Sequence, residues 1–166
     1  TYGSENTEFG VARRILTDLK PGVEVAVLEV GAYKRGEIAR MCRMARPGVV
    51  IVTGVGPQHV DLFGSLENSQ KAEFETIEAL PKGGVAILNG ESPSEAPLIE
   101  WARRRSIKTV VYDTQGKLGK VTTEGFELGG IKVPIRGAHF AQNAMGAMRV
   151  AYELGMTKSE IEEAVA

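Results

Sequence analysis

Four short runs of apolar, β-prone residues recur along this chain with helical patterns between them, and that alternation leaves few folds open to it. The run "VEVAVLEV" (23–30) is followed by "GEIARMCRMA" (36–45), where Ile38, Met41, Cys42 and Ala45 fall at i, i+3, i+4 and i+7 before Pro47 and Gly48 end the pattern. The run "GVVIVTG" (48–54) precedes a helix predicted from about Ser65 to Leu80. "GVAILN" (84–89) precedes another, which Ser94 can cap with Pro97 in its first turn, and "KTVVYD" (108–113) closes the series. Nearly continuous apolar strands separated by helices predict a mostly parallel sheet covered on both faces, the doubly wound α/β class.

After Asp113 the texture changes. Residues 114–136 are Gly-rich with short β-prone pieces and predict a small antiparallel excursion. Helical pattern returns from Gly137 to Leu154, rich in Ala, Gly and Met, and Thr157 with Glu160 forms a capping box for a last helix. The opening "TYGSENTEFG" reads as a polar loop entering a helix at about Phe9, with no strand before it. Residues 1–166 therefore read as one domain, truncated at its N-terminus because a doubly wound domain usually begins on a strand.

Composition removes several function classes. The net charge of -1 gives no bulk attraction to nucleic acid or anionic lipid, so Arg103, Arg104 and Arg105 read as a solvated helix face. No apolar stretch approaches the ~20 residues of a membrane span, and the first residues lack a signal peptide's regions, which predicts a cytoplasmic protein. The single Cys42 has no partner for a disulfide and reads as a small core residue.

In open α/β sheets ligands bind beyond the carboxyl ends of the strands, and the polar residues of this chain fall there. Glu29 ends the first run, Thr53 the second with His59 just beyond, Asn89 the third and Asp113 the fourth. A carboxylate inside "VAVLEVG" costs desolvation unless a cation or hydrogen bonds compensate; the alternative is a strand end facing water or an arginine. In the 65–80 helix, the stripe Leu66, Glu73, Ile77 and Leu80 turns Glu73 inward, whereas Lys71 can pair on the surface with Glu67 and Glu75. Glu29, His59 and Glu73 are thus candidates for one hard-cation site of the kind that holds Mg²⁺ by one or two protein ligands with phosphates and water. Neither "GVGPQH" (54–59) nor "GKLGK" (116–120) is a phosphate-binding fingerprint, and both read as turns. His139 and Asn143, at i,i+4 near the start of the 137–154 helix, either meet a nucleotide there or form an N-terminal capping cluster.

The segments "LEVGAYKRGEI" (28–38), "VTGVGPQHVDLFGSLENSQKAEFE" (52–75), "GGVAILNGE" (83–91) and "IRGAHFAQNAMGAMRVAYELGM" (135–156) together resemble the central, ATP-binding domain of the Mur ligase family. The likeness is to the members that add a D-alanyl-D-alanine dipeptide to the UDP-MurNAc-peptide of peptidoglycan synthesis. It covers nearly the whole chain, with the motifs in family order, and "SENTEFGVARRIL" (4–16) is similar to the family's Asn-bearing segment after the phosphate-binding helix. The resemblance implies ATP-dependent amide formation through an acyl phosphate. On the matched positions it implies Glu29 and His59 as Mg²⁺ ligands, with Glu73 at the same centre. His59 and Glu73 are then the candidate catalytic pair. It also implies Asn89 in the nucleotide cleft, His139 and Asn143 on the adenine side, and Asn6 near the phosphates or substrate.

The chain departs from the family pattern at three places. Glu73 stands where a lysine carbamylated by CO₂ is usual, bringing a permanent carboxylate with shorter reach. Phe140 follows His139 where Asn is usual. The P-loop with its Lys and Ser/Thr is absent, along with the sheet's first strand, so the chain alone is expected to be inactive. An exposed sheet edge would favour self-association. The alternative to a ligase fragment is a noncatalytic binding or assembly module with the same fold. A dinucleotide-binding oxidoreductase ranks lower because no G-x-G-x-x-G follows a strand.

Overall fold

The computed structural model describes residues 5–56, 63–113, 119–121 and 125–166. Its elements are α1 (Glu8–Asp18), α2 (Glu37–Ala45), β1 (Val49–Val52), α3 (Leu66–Glu78), β2 (Val85–Asn89), a 3-10 turn (Pro93–Glu95), α4 (Ala96–Arg104), β3 (Lys108–Tyr112), β4 (Gly119–Val121), β5 (Phe126–Leu128), β6 (Ile131–Val133), α5 (Ala138–Glu153) and α6 (Lys158–Val165). β1, β2 and β3 form a parallel sheet in that order, with Ile51 opposite Ile87 and Ile87 opposite Val110. β4, β5 and β6 form a separate antiparallel sheet, as the 114–136 texture predicts.

The central strand explains the layering. All five residues of β2 are buried, and successive side chains point to opposite faces. Val85 and Ile87 pack with Tyr112 and with Ala141, Met145 and Met148 of α5, a core that Leu128 and Ile131 of the small sheet extend. Ala86 and Leu88 pack on the other face with Val50, Val52, Phe74 and Ile77 of α3, and Leu98 and Ala102 of α4. Each fully buried Ile or Leu contributes roughly 1.5 to 3 kcal/mol of transfer free energy. Hence the continuous apolar runs become the sheet.

A third cluster joins Val11 of α1 to Ile38, Met41 and Cys42 of α2, with Ala79 beside it. Cys42 is buried as expected, and desolvation pushes its thiol up to about 11. Thr157 with Glu160 closes the capping box of α6 as the spacing predicts; Thr7 also accepts from Gly10 N–H on α1, and Ser65 from Asn68 N–H on α3. Arg103 and Arg104 are exposed in the last turn of α4, Arg104 pairing with Glu100 at 2.8 Å, while the next residue, Arg105, lies over the Phe74 ring. Among the described residues no helix is long and apolar enough to cross a membrane.

Three expectations are corrected. Residues 23–30 form no strand: Leu28 and Val30 touch the α1–α2 cluster, but Val23, Val25 and Val27 are exposed. β propensity needs a neighbouring ladder to become a strand, and among the described residues this run has none. Ser94 caps no helix; it lies inside the 3-10 turn, and its carbonyl accepts from Gln70 Nε2 at 2.8 Å. Glu75 is not a surface partner of Lys71. Lys71 pairs with Glu67 at 2.7 Å, whereas Glu75 is buried against the start of α2.

Candidate functional site

Thr53, Asn89 and Asp113 do sit at the carboxyl ends of β1, β2 and β3. Asn89, the last residue of β2, is buried and organises this edge. Its Nδ2 donates to the Thr53 carbonyl at 3.2 Å, and its Oδ1 accepts from Glu91 N–H at 3.0 Å. Its own backbone N–H donates to Glu95 Oε2 at 2.7 Å. Glu91 in turn accepts from Gln142 Nε2 on α5 at 2.7 Å. One asparagine thus ties two strand ends to a turn, and the turn ties to the helix above.

Glu95 and Gln142 were missed by the sequence reading. "ESPSEAP" looks like a solvated loop, yet Glu95 is fully buried. A signal existed: Glu95, Leu98 and Ala102 fall at i, i+3 and i+7, so the inward stripe of α4 begins on the carboxylate. Burial pushes Glu95 up to about 8, the Asn89 N–H pulling back and Glu73 adding to the rise. Its Oε1 has no hydrogen-bond partner among the described residues, nor has the buried Tyr112 hydroxyl. Burial, with Glu95 and Glu91 nearby, likewise pushes the Tyr112 phenol up.

Gly137, the cap residue of α5, has no side chain to cap the helix, and His139 and Asn143 follow in its first turns. Both are exposed near its amino end, as is Phe140. Asn6 and Glu29 are brought together: Asn6 Nδ2 lies 3.4 Å from Glu29 Oε1, and the Asn6 carbonyl accepts Gly31 N–H at 3.0 Å. Glu29 is exposed, so its carboxylate faces water and the Asn6 amide and does not carry a desolvation cost. Glu73 is half-buried, and burial with the nearby Glu75 pushes it up to about 7. His59 lies outside the described residues, and among those described no group of three His, Cys, Asp or Glu side chains is placed to hold a metal ion.

A parallel sheet with helices on both faces and polar side chains gathered at its strand ends defines an open α/β protein, a class that binds ligands at the carboxyl edge of the sheet. The particular family follows from comparison: residues 1–151 match the Mur ligase middle domain, and the chain belongs to the Mur ligase family, being most like its MurF members. It is 32% identical to a UDP-N-acetylmuramoyl-tripeptide--D-alanyl-D-alanine ligase of Synechocystis over 98% of this chain and 36% of that protein. It is 30% identical to the Escherichia coli ligase of the same name over 100% of this chain and 39% of that one. The chain therefore spans less than two fifths of the length of these relatives. Among solved structures it is similar to MurF from Acinetobacter baumannii (TM-score 0.84, 25% identity, 99% of this chain, 38% of that one). It is also similar to MurF from Thermotoga maritima in complex with ADP (TM-score 0.78, 26% identity, 95% and 39%).

Proposed function

We propose that residues 1–166 form one domain, the nucleotide-binding centre of a MurF-type ligase. In this reading the whole enzyme is cytoplasmic and uses ATP and Mg²⁺ to join D-alanyl-D-alanine to a UDP-MurNAc-peptide for the cell wall. A substrate carboxylate oxygen attacks the γ-phosphorus and ADP leaves; the dipeptide amine then attacks the acyl phosphate, an amide forms and inorganic phosphate departs. The observation that carries this reading is the Asn89 network, which holds polar groups at the carboxyl edge of the sheet close to the uncapped amino end of α5. Helix amino ends favour anions, so phosphates suit this place. The relative solved with ADP supports a nucleotide as the occupant.

On this reading Asn89 contacts the nucleotide, His139 and Asn143 line its adenine side, and Asn6 approaches the phosphates. Glu29 fits a hard cation: it is an exposed oxygen donor beside a neutral amide, and Mg²⁺ often takes only one or two carboxylates with phosphates and water. Bound there with His59 and Glu73, Mg²⁺ would offset the charge on phosphate oxygens. Glu73, the residue in place of a carbamylated lysine, would supply the carboxylate that the modification supplies elsewhere.

Phe140, 60% exposed where the family usually carries a polar residue, favours the second reading, a noncatalytic binding or assembly module. Its exposure also gives self-association a contact. Calorimetric titration of Mg²⁺ with a nonhydrolysable ATP analogue into the 166-residue chain, beside Glu29→Gln, separates the two. Binding that needs both Mg²⁺ and Glu29 supports the ligase domain. No heat from either protein moves the weight to the module.

A further inference from the structure

We propose that Glu95 is a positioning residue that fixes the orientation of the Asn89 carboxamide at the carboxyl edge of the sheet. The proposal rests on the nucleotide reading for what Asn89 touches, but not for how Asn89 is held.

Where β2 ends, the ladder continues on the β3 side: Gly90 N–H donates to the Tyr112 carbonyl at 2.7 Å. The neighbouring Asn89 N–H points the other way, as alternation along a strand requires, toward Val52, the last residue of β1 that pairs with β2. At this last rung of the ladder Glu95 Oε2 also accepts the Asn89 N–H, at 2.7 Å, so a side chain reinforces the backbone where strand pairing stops. Glu95 can do so because the 3-10 turn folds back over the strand end, and Gln70 of α3 holds that turn at the Ser94 carbonyl.

The consequence falls on the Asn89 side chain. With its backbone fixed, one Nδ2 hydrogen is committed to Thr53 and one Oδ1 lone pair to Glu91. A carboxamide has two N–H donors and two acceptor positions, so one of each stays available in a set direction. Without Glu95 the last rung loses its side-chain acceptor, and the strand end that carries the carboxamide is freer to move away from Thr53 and Glu91. A buried carboxylate with its second oxygen unpartnered is a costly way to stabilise a fold, and its position at this one strand end assigns it to placing Asn89.

The test is nuclear magnetic resonance on the 166-residue chain with Glu95→Leu and Glu95→Gln, reading the Asn89 backbone and side-chain amides. Glu95→Leu is expected to speed hydrogen exchange at the Asn89 backbone amide about tenfold or more and to shift the Asn89 side-chain and Glu91 amide signals. Amides of Ala86, Ile87 and Leu88 keep their protection, and Glu95→Gln, whose carboxamide oxygen still accepts, restores most of the Asn89 signature. If Glu95→Leu does not fold, Glu95→Asp carries the comparison, because one methylene less withdraws the acceptor. Unchanged Asn89 signals in a folded Leu or Asp variant overturn the proposal. Titrating the same samples with Mg²⁺ and the ATP analogue separates the two ideas. Altered Asn89 signals in a chain that binds no nucleotide sink the nucleotide reading and leave the positioning role standing.

Discussion

The carboxylate of Glu75 accepts the backbone N–H of Gly36 through both oxygens, at 2.8 and 3.0 Å, and that of Ala39 at 3.1 Å, so α3 caps the amino end of α2. Gly36 occupies the cap position and has no side chain to do this itself. The ion is buried, yet the dipole of α2 and these donors compensate it. Glu75→Ala leaves the N–H groups without partners and is expected to cost about 2 kcal/mol; Glu75→Gln, which keeps one acceptor, costs less. Urea unfolding measures both, and equal midpoints for wild type and Glu75→Ala would remove the cap from the account of stability.

Raised carboxyl groups make stability depend on pH in one direction. Glu95 and Glu73 stand at about 8 and about 7 in the folded chain against an ordinary value of 4.5, both mainly through burial. The native state therefore holds their protons more tightly than the unfolded chain does. The stabilisation is complete below about 4.5 and is lost as pH rises through 7 and 8. Glu8, Asp18, Glu67 and Glu160 are held low by hydrogen bonds and act the opposite way, but only toward acid. Between pH 5 and 9 the wild type should lose stability relative to the double variant Glu73→Gln/Glu95→Gln. Parallel curves for the two proteins over that range would count against raised carboxyls.

Much of this architecture is written in local pattern. The runs at 48–54, 84–89 and 108–113 became strands because each is β-prone and finds a parallel neighbour. The run at 23–30 has the same composition but no ladder, and a strand is a property of pairs rather than of single segments. α3 shows the second limit. A single stripe through Ile77 puts Glu75 outside, whereas the helix buries two faces: Phe74 and Ile77 meet the sheet, and Glu75 with Ala79 meets α2. Asn89 was legible from its place at a strand end. Glu95 was legible only as the start of an inward helix stripe; its partner, a backbone N–H at the end of β2, meets it only once the sheet has formed.

Helix α5 approaches the sheet at Gly146, where a Cβ would stand 2.7 Å from Ile51 Cδ1 and 3.0 Å from the Tyr112 hydroxyl. Gly146→Ala gains about 1 kcal/mol of helix propensity and loses a comparable amount to crowding, since the Ile51 methyl can turn aside. Gly146→Val cannot balance in this way and should destabilise by about 2 kcal/mol. Ile51→Val removes the obstructing methyl, so the double variant should be more stable than the sum of the single changes predicts. Thermal melts of the four proteins give the coupling; strict additivity would mean that α5 does not touch the sheet at this point.

Gly10 lies in the first turns of α1, under the backbone of Glu5. A Cβ there would collide with the Glu5 carbonyl oxygen and stand 2.7 and 2.8 Å from its carbonyl carbon and Cα, atoms that cannot rotate away. Glu5 is also tied to the helix by its ion pairs with Arg13, at 2.9 Å, and Arg14. The next residue is Asn6, which sits against Gly31 and Glu29. Gly10→Ala should therefore leave α1 helical, since alanine is the better helix former, while lifting residues 5 and 6 away from it. The expected signature is faster exchange at the Gly31 amide and a shifted Asn6 side-chain amide, with unchanged helical circular dichroism. If Asn6 also approaches phosphates, affinity for Mg²⁺ with the ATP analogue falls in parallel. Helix loss without movement at Gly31 would show that Gly10 serves α1 alone and that the Asn6–Glu29 contact is set elsewhere.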